Sequence, residues 1–300
     1  MTNKRAIVVE GGAMRGIFAS GVLDEFLDVD FRPFDFAIGV SAGASNLVNY
    51  LAKQPQRSYH VVTELATNSR FFNPARFVKG GNLIDVDWLW KEALLRYPLN
   101  TDALFDSIPL LAAVTNVETA AADYYWVNES NLSNVIEATS ALPIAYRQTP
   151  CFSGGCYTDG GVADSIPVVE AYRRGARDIT VILSQPESYE MTPMRIPSLM
   201  DHILKKHPSI ADAMRLRAER YNASLAFIRQ PPVDCKVRVI APPESFPVGR
   251  FTMKKAKLDE GYHMGRQAAK NHIFDTLKLT VLKHHDWNNT AAKPTTKPTY

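Results

Sequence analysis

Phe36-Ala37-Ile38-Gly39-Val40-Ser41-Ala42-Gly43-Ala44 is a short apolar run that enters a Gly-x-Ser-x-Gly turn and passes on into helical spacing. A serine on a sharp strand-to-helix turn needs neighbours without side chains where the backbone crowds itself, and Gly39 and Gly43 supply them. Ser41 then projects from the carboxyl end of a strand. It also sits at the N-terminus of a helix carrying Ala44, Leu47, Val48 and Leu51, where unpaired N–H groups favour developing negative charge. The stretch reads as a nucleophile elbow for acyl transfer. The pattern also occurs by chance in loops and cofactor-binding turns, so its surroundings decide.

Upstream, Ala6-Ile7-Val8-Val9 has the β-branched character of a strand buried in a parallel sheet, and Glu10-Gly11-Gly12-Ala13-Met14-Arg15-Gly16 follows it as a glycine-rich turn. Phe18, Val22, Phe26 and Leu27 then recur at helical spacing, which makes the opening βαβα. The turn lacks Gly-x-Gly-x-x-Gly spacing, and no suitable acid ends the second strand, which excludes a dinucleotide site. No Gly-Lys-Ser/Thr follows, which excludes a phosphate loop. What remains is an anion cradle. If the first two strands are neighbours, its N–H groups lie beside Ser41 and can serve as an oxyanion hole.

The chain has 300 residues, 46% hydrophobic and 22% charged, as expected of an ordinary globular protein. A formal net charge of +3 gives no ground for nucleic-acid binding. The first apolar run is too short for a secretory signal or a membrane span, so a cytoplasmic protein is expected. Cys151, Cys156 and Cys235 are odd in number and lack metal-ligand spacing. Cys151 and Cys156 flank Phe152-Ser153-Gly154-Gly155 and are read as hairpin positions in preference to a disulfide. No metal and no cofactor is expected.

Residues 54–101 turn irregular and aromatic, with Phe71-Phe72-Asn73-Pro74 and Trp88-Leu89-Trp90. They read as a loop-and-helix insertion that either covers a lipid-like substrate or packs on the core. Strands are expected at 110–117 and 124–128, then a helix with Val135, Ile136 and Ala138 capped near Ser130 or Asn131. A Gly-Gly hairpin at 151–157 runs into Thr158-Asp159-Gly160-Gly161, which puts a carboxylate on another strand-end loop; alone, Asp-Gly-Gly is an ordinary turn. A helix from Pro167 to Gly175 and a buried strand at 178–184 follow. Beyond Gln185 come a proline-rich loop, a helix near 210–228 with Arg215, Arg217, Arg220 and Arg229, a strand near 237–240 and a helix near 255–282. These helices and Arg250-Phe251-Thr252-Met253-Lys254-Lys255-Ala256-Lys257 read as a solvated basic face in preference to a membrane-binding one. The expected organisation is a catalytic core at 1–185, a helical and mixed part at 186–287 packed on the same domain, and a disordered tail at 288–300.

A serine hydroxyl needs a base. None of His60, His202, His207, His263, His272, His284 and His285 lies in a glycine-flanked loop at a predicted strand end. His263 is the best placed, because an α/β-hydrolase takes its triad histidine late in the chain, but that fold has more strands before its elbow.

Taken together, Gly11-Gly12-Ala13-Met14-Arg15-Gly16, Gly39-Val40-Ser41-Ala42-Gly43 and Asp159-Gly160-Gly161 resemble the patatin-like phospholipase family in order and spacing. Val162-Ala163-Asp164-Ser165-Ile166-Pro167 resembles the family's continuation, and the likeness spans Arg5 to Ser184. It implies a three-layer α/β/α fold with a mainly parallel central sheet. It further implies a Ser-Asp dyad, with Ser41 as nucleophile and Asp159 as general base. The implied oxyanion hole is drawn from Gly11, Gly12, Ala13, Met14 and Ala42, and the implied reaction is hydrolysis of lipid acyl esters. Arg15 either meets a lipid phosphate or fixes the turn. Where the family commonly has a third glycine this chain has Ala13, so a positive φ there would be strained. The implied partners are a lipid or acyl-ester substrate and a membrane surface touched peripherally; the oligomeric state is left open. The rival readings are a general esterase, thioesterase or acyltransferase on the same fold, and a lipid-binding or scaffold protein without turnover.

Overall fold

In the computed structural model, residues 3–194, 203–205 and 207–290 are described, with 279–290 as backbone only. The opening is β1 (Lys4–Val9), a 3₁₀ turn at Ala13–Gly16, α1 (Ile17–Asp28), β2 (Phe36–Val40) and α2 (Ala42–Leu51). The 54–101 segment forms α3 (Arg57–His60), a π-helical turn at Val61–Leu65, α4 (Pro74–Val78), α5 (Val86–Arg96) and α6 (Thr101–Phe105). Then come β3 (Leu110–Asn116), β4 (Ala122–Trp126), α7 (Leu132–Ser140), β5 (Cys151–Phe152), β6 (Gly155–Asp159), α8 (Val168–Arg173) and β7 (Ala176–Ile182). The chain continues through α9 (Pro208–Arg229), β8 (Lys236–Ile240) and α10 (Lys255–Thr290).

The sheet is mainly parallel: β1 pairs with β2 and β7, β2 with β3, and β7 with β8, all in parallel, while β4 and β6 pair antiparallel with β3. Alternation along β1 and β2 explains the three layers. Ile7, Val9 and Ala37 face one way, into a core with Phe18, Phe26, Leu47 and Val48 of α1 and α2. Ala6, Val8, Phe36 and Ile38 face the other, into a core with Val168 and Ala171 of α8 and Tyr221, Leu225 and Ile228 of α9. Both faces are covered, so these strands read as continuous apolar runs. Truncating one such leucine to alanine costs about 2–5 kcal/mol.

The last helix is fastened to α1 by close approach. A Cβ on Gly21 would fall 2.1 Å from the Tyr262 carbonyl oxygen, and one on Gly265 would fall 2.1 Å from that of Phe18. Tyr262 also donates a 2.8 Å hydrogen bond to Asp24. Together with β8 at the sheet edge, this ties the part beyond Gln185 to the same core. α10 runs through the first residues of the expected tail, to Thr290; residues 291–300 of that expectation lie outside the described residues.

Cys151 and Cys156 are both hairpin positions and a bonded pair, which corrects the preference for unbonded cysteines. The turn is Ser153-Gly154, with φ of 51° and 81°, so Cys151 faces Cys156 directly across the hairpin. Spacing alone did not show this, because which residues face each other depends on the turn length.

Candidate active site

The site is built by two strands that meet end to end. Along β3, residues 110–113 pair with β2 and residues 114–116 with β6, while β4 pairs across 111–115. β4 therefore holds one edge of β3, and β2 and β6 share the other. β2 ends with Val40 opposite Ala113 and β6 ends with Asp159 opposite Val114, so Ser41 and Asp159 emerge at one point from opposite directions.

Ser41 has φ 52° and ψ −127°, the strained geometry of an elbow, and is 8% exposed. Its N–H donates to Thr139 Oγ1 at 2.9 Å, and that hydroxyl in turn donates to the Ala113 carbonyl. Thr139 thus pins the Ser41 backbone to the helix that follows β4. Nothing in its sequence context marks it, since a threonine inside a helix reads as filler.

Asp159 is 3% exposed and caps the 3₁₀ turn Gly160–Val162, its Oδ1 accepting the Gly161 N–H at 2.7 Å. Oδ2 is buried without a hydrogen-bond partner among the described residues. Burial pushes the carboxyl above its ordinary value, opposed by the Ser41 hydroxyl, the Gly161 N–H and the Arg217 and Arg250 cations. A carboxylate so raised is a stronger base than an exposed aspartate.

The glycine turn lies against the elbow: a Cβ on Gly11 would fall 3.1 Å from that of Ser41, and one on Gly16 would fall 2.9 Å from that of Ala42. Gly12, Ala13 and Ala42 have N–H groups with no hydrogen bond among the described residues, at the open ends of their turns. Met14 differs from expectation, because its N–H donates to the Arg250 carbonyl at 3.4 Å. Ala13 does adopt a positive φ, 50°.

Charge gathers around this point. Arg15 is buried, interacts electrostatically with Glu10, and leaves its Nε without a partner among the described residues. Glu10 accepts the Ser184 N–H at 2.6 Å and the Tyr221 hydroxyl at 3.1 Å. Arg217 turns inward from α9, donating from Nε to the Gly161 carbonyl at 2.6 Å. It leaves the expected solvated face because the Asp159 loop offers a buried carbonyl and a carboxylate. Arg250 is exposed at the rim of the cleft. Sequence reasoning noticed both arginines as basic residues, without a signal that they return to the Asp159 loop.

Ser41 opens into a cleft of about 1060 Å³, counting the part open to solvent, walled by Phe71, Phe72, Leu89, Trp90, Phe251 and Met253. The aromatic insertion therefore lines this cleft as well as packing on the core. No described histidine lines it. His263 is exposed and stacks edge-on against Tyr262, and His60 bonds Glu64 at 2.8 Å. His202 lies outside the described residues, as do the side chains of His284 and His285. Among the described residues there is no cluster of metal-ligating side chains.

Comparison with known proteins gives a match to the patatin-like phospholipase model over residues 7–172 and to a domain of unknown function, DUF6363, over residues 207–279. The uncharacterized protein YjjU of Escherichia coli (strain K12) is 35% identical over 286 residues, which is 93% of this chain and 79% of that protein. A crystal structure of VipD from Legionella pneumophila superposes with a TM-score of 0.46 at 12% identity, covering 91% of this chain and 67% of that one. The family match takes in β1 through α8, and with it the glycine turn, the elbow and Asp159; the chain belongs to the patatin-like phospholipase family, a family of lipid acyl hydrolases.

Proposed function

We propose that this chain is a serine acyl-ester hydrolase, a phospholipase or lysophospholipase that releases fatty acids through a Ser41–Asp159 dyad and an acyl-enzyme. The observation that carries the reading is the end-to-end meeting of β2 and β6, which sets a buried carboxylate oxygen without a partner beside the elbow serine. Asp159 takes the Ser41 proton as Oγ attacks the ester carbonyl carbon, and the N–H groups of Gly12, Ala13 and Ala42 hold the oxyanion. The alcohol leaves with that proton. Water then attacks the acyl-enzyme, giving one proton to Asp159 and its oxygen to the carbonyl carbon, and the fatty acid departs as Ser41 recovers its hydrogen.

Arg250 at the rim of the cleft, with Arg217 beside Asp159, supports a substrate with negative charge near the scissile ester. Phe251 is half exposed at the cleft rim with Lys254 and Lys255 close behind it, which supports peripheral contact with a lipid surface. No described helix is long and apolar enough to cross a membrane. We place the protein on the cytoplasmic side; the bonded Cys151–Cys156 pair argues for an oxidising compartment instead, and its redox state in cells decides between them.

The test is labelling by a fluorophosphonate probe, with the adduct located by mass spectrometry, on wild type, Ser41→Ala and Asp159→Asn. Labelling on Ser41 that is absent in the first variant and sharply reduced in the second is expected, followed by hydrolysis of lysophospholipid. A folded wild type that takes no label points to a lipid-binding protein. Labelling indifferent to Asp159 but dependent on His263 restores a triad.

A further inference from the structure

The cleft runs along one face of α2. Ser41, Ala42, Ser45, Asn46 and Asn49 all border it, and about two turns along the helix from Ser41 the Asn49 Oδ1 accepts a hydrogen bond from Arg57 Nη1, with Arg57 itself on the cleft wall. At about 1.5 Å of rise per residue, Asn49 lies about 12 Å along the helix axis from Ser41. The cleft wall along α2 therefore carries Ser41 at one end of the helix and a guanidinium near the other.

That guanidinium meets no carboxylate among the described residues. Nε donates to the Tyr97 carbonyl at 2.8 Å and Nη2 to the Ala93 carbonyl at 3.3 Å, so with Asn49 all its acceptors are neutral. Arg57 is 6% exposed and forms no ion pair among the described residues. Burial lowers its pKa to about 10, which leaves it charged at neutral pH. The carbonyls at the end of α5 supply partial negative charge, which makes the residue tolerable there without neutralising it. Nη1 and Nη2 each keep a second N–H, and Ser58 beside them lines the same wall.

A plain hydrocarbon tail reaching this guanidinium would lay methylenes against a buried cation and leave its remaining N–H groups unmatched, which is unfavourable. Walls of Val61, Val62, Leu89 and Trp90 along the way still favour methylenes. We propose that the acyl cleft selects medium-length acyl chains ending in a carboxylate, with Arg57 pairing the far end while Ser41 attacks the ester. With C–C bonds of about 1.5 Å in a tetrahedral zigzag, about 12 Å corresponds to roughly eight to ten carbons.

The inference rests on the hydrolase reading, so its test has one arm with turnover and one without. The first arm compares kcat/KM for the mono-para-nitrophenyl ester of decanedioic acid with that for para-nitrophenyl decanoate. Wild type is expected to prefer the carboxylate-ended ester, and Arg57→Gln to lose about tenfold or more in that ratio. Arg57→Lys, which keeps the charge, stays between the two and serves if the glutamine variant does not fold. The second arm measures calorimetric binding of monomethyl decanedioate to Ser41→Ala, expected to be lost in Ser41→Ala/Arg57→Gln. A wild type that prefers decanoate, with a ratio unmoved by Arg57→Gln, overturns the inference and leaves the hydrolase intact. Binding that depends on Arg57 without turnover of either ester sustains the anion site and fails the hydrolase.

Discussion

Gly43→Ala tests the elbow by displacement alone. A Cβ at position 43 would lie 2.4 Å from the Val9 carbonyl oxygen and 2.6 Å from that of Glu10, whereas ordinary contact begins at 3.4 Å. Both obstacles are backbone at the end of β1, so no side chain can swing aside, and α2 must withdraw by about 1 Å, the difference between these contact distances. Overpacking of this kind costs about 1–3 kcal/mol. Ser41 caps α2 and moves with it, away from the N–H groups of Gly12 and Ala13, and a shift of about 1 Å in a catalytic group costs about a hundredfold in kcat. The assay is kcat on a para-nitrophenyl ester together with the rate of fluorophosphonate labelling, with folding followed by circular dichroism. Gly249→Ala is the control, since its Cβ would meet nothing nearer than 3.7 Å. A Gly43→Ala protein with the melting temperature and kcat of the control would refute the steric account of the turn.

Ala13→Gly relieves a residue held at φ 50° and is expected to raise stability by about 1 kcal/mol, read as about 2 °C in a calorimetric scan. Asp24, buried under α10, has its pKa raised to about 6, chiefly by burial, with the Tyr262 hydroxyl opposing. The unfolded chain ionises near the ordinary value, so wild type loses stability as pH rises through about 6, and Asp24→Asn removes that loss. The variant gains about 3 kcal/mol over wild type at pH ~8 and nothing at pH ~3, measured by urea unfolding at both. Reducing Cys151–Cys156 frees a short loop and costs about 2 kcal/mol, and thiol titration of the denatured protein rises from one group, Cys235, to all the cysteines.

Much of the fold was legible because its signals are local. Gly39 and Gly43 frame Ser41 within one turn, Ala6 to Val9 form an uninterrupted apolar run, and Gly175, at φ 95°, closes α8 where the sequence expects an end. Asp159 was legible only in company, because Asp-Gly-Gly means little until the glycine turn and elbow precede it at family spacing. What stayed hidden depends on chain returning from afar. Arg217 reaches Gly161 from α9, Arg250 offers its carbonyl to Met14, and Thr139 holds the Ser41 N–H from a helix that reads as ordinary packing. Arg57 was hidden for a related reason. A lone arginine in an aromatic loop reads as surface, and only the fold shows that α5 ends over it.

The meeting of β2 and β6 on one edge of β3 also sets an order of events during synthesis. The elbow needs only β1, β2 and α2, but Thr139 and then Asp159 leave the ribosome much later, by on the order of ten seconds at typical elongation rates. Under the proposed dyad, a nascent chain carries Ser41 without its base until β6 closes against Val114. On that reading, membranes near the ribosome meet an inert precursor, and any power to cut lipids arrives only once β6 has taken its place end to end with β2, with β7 and β8 still to join the sheet.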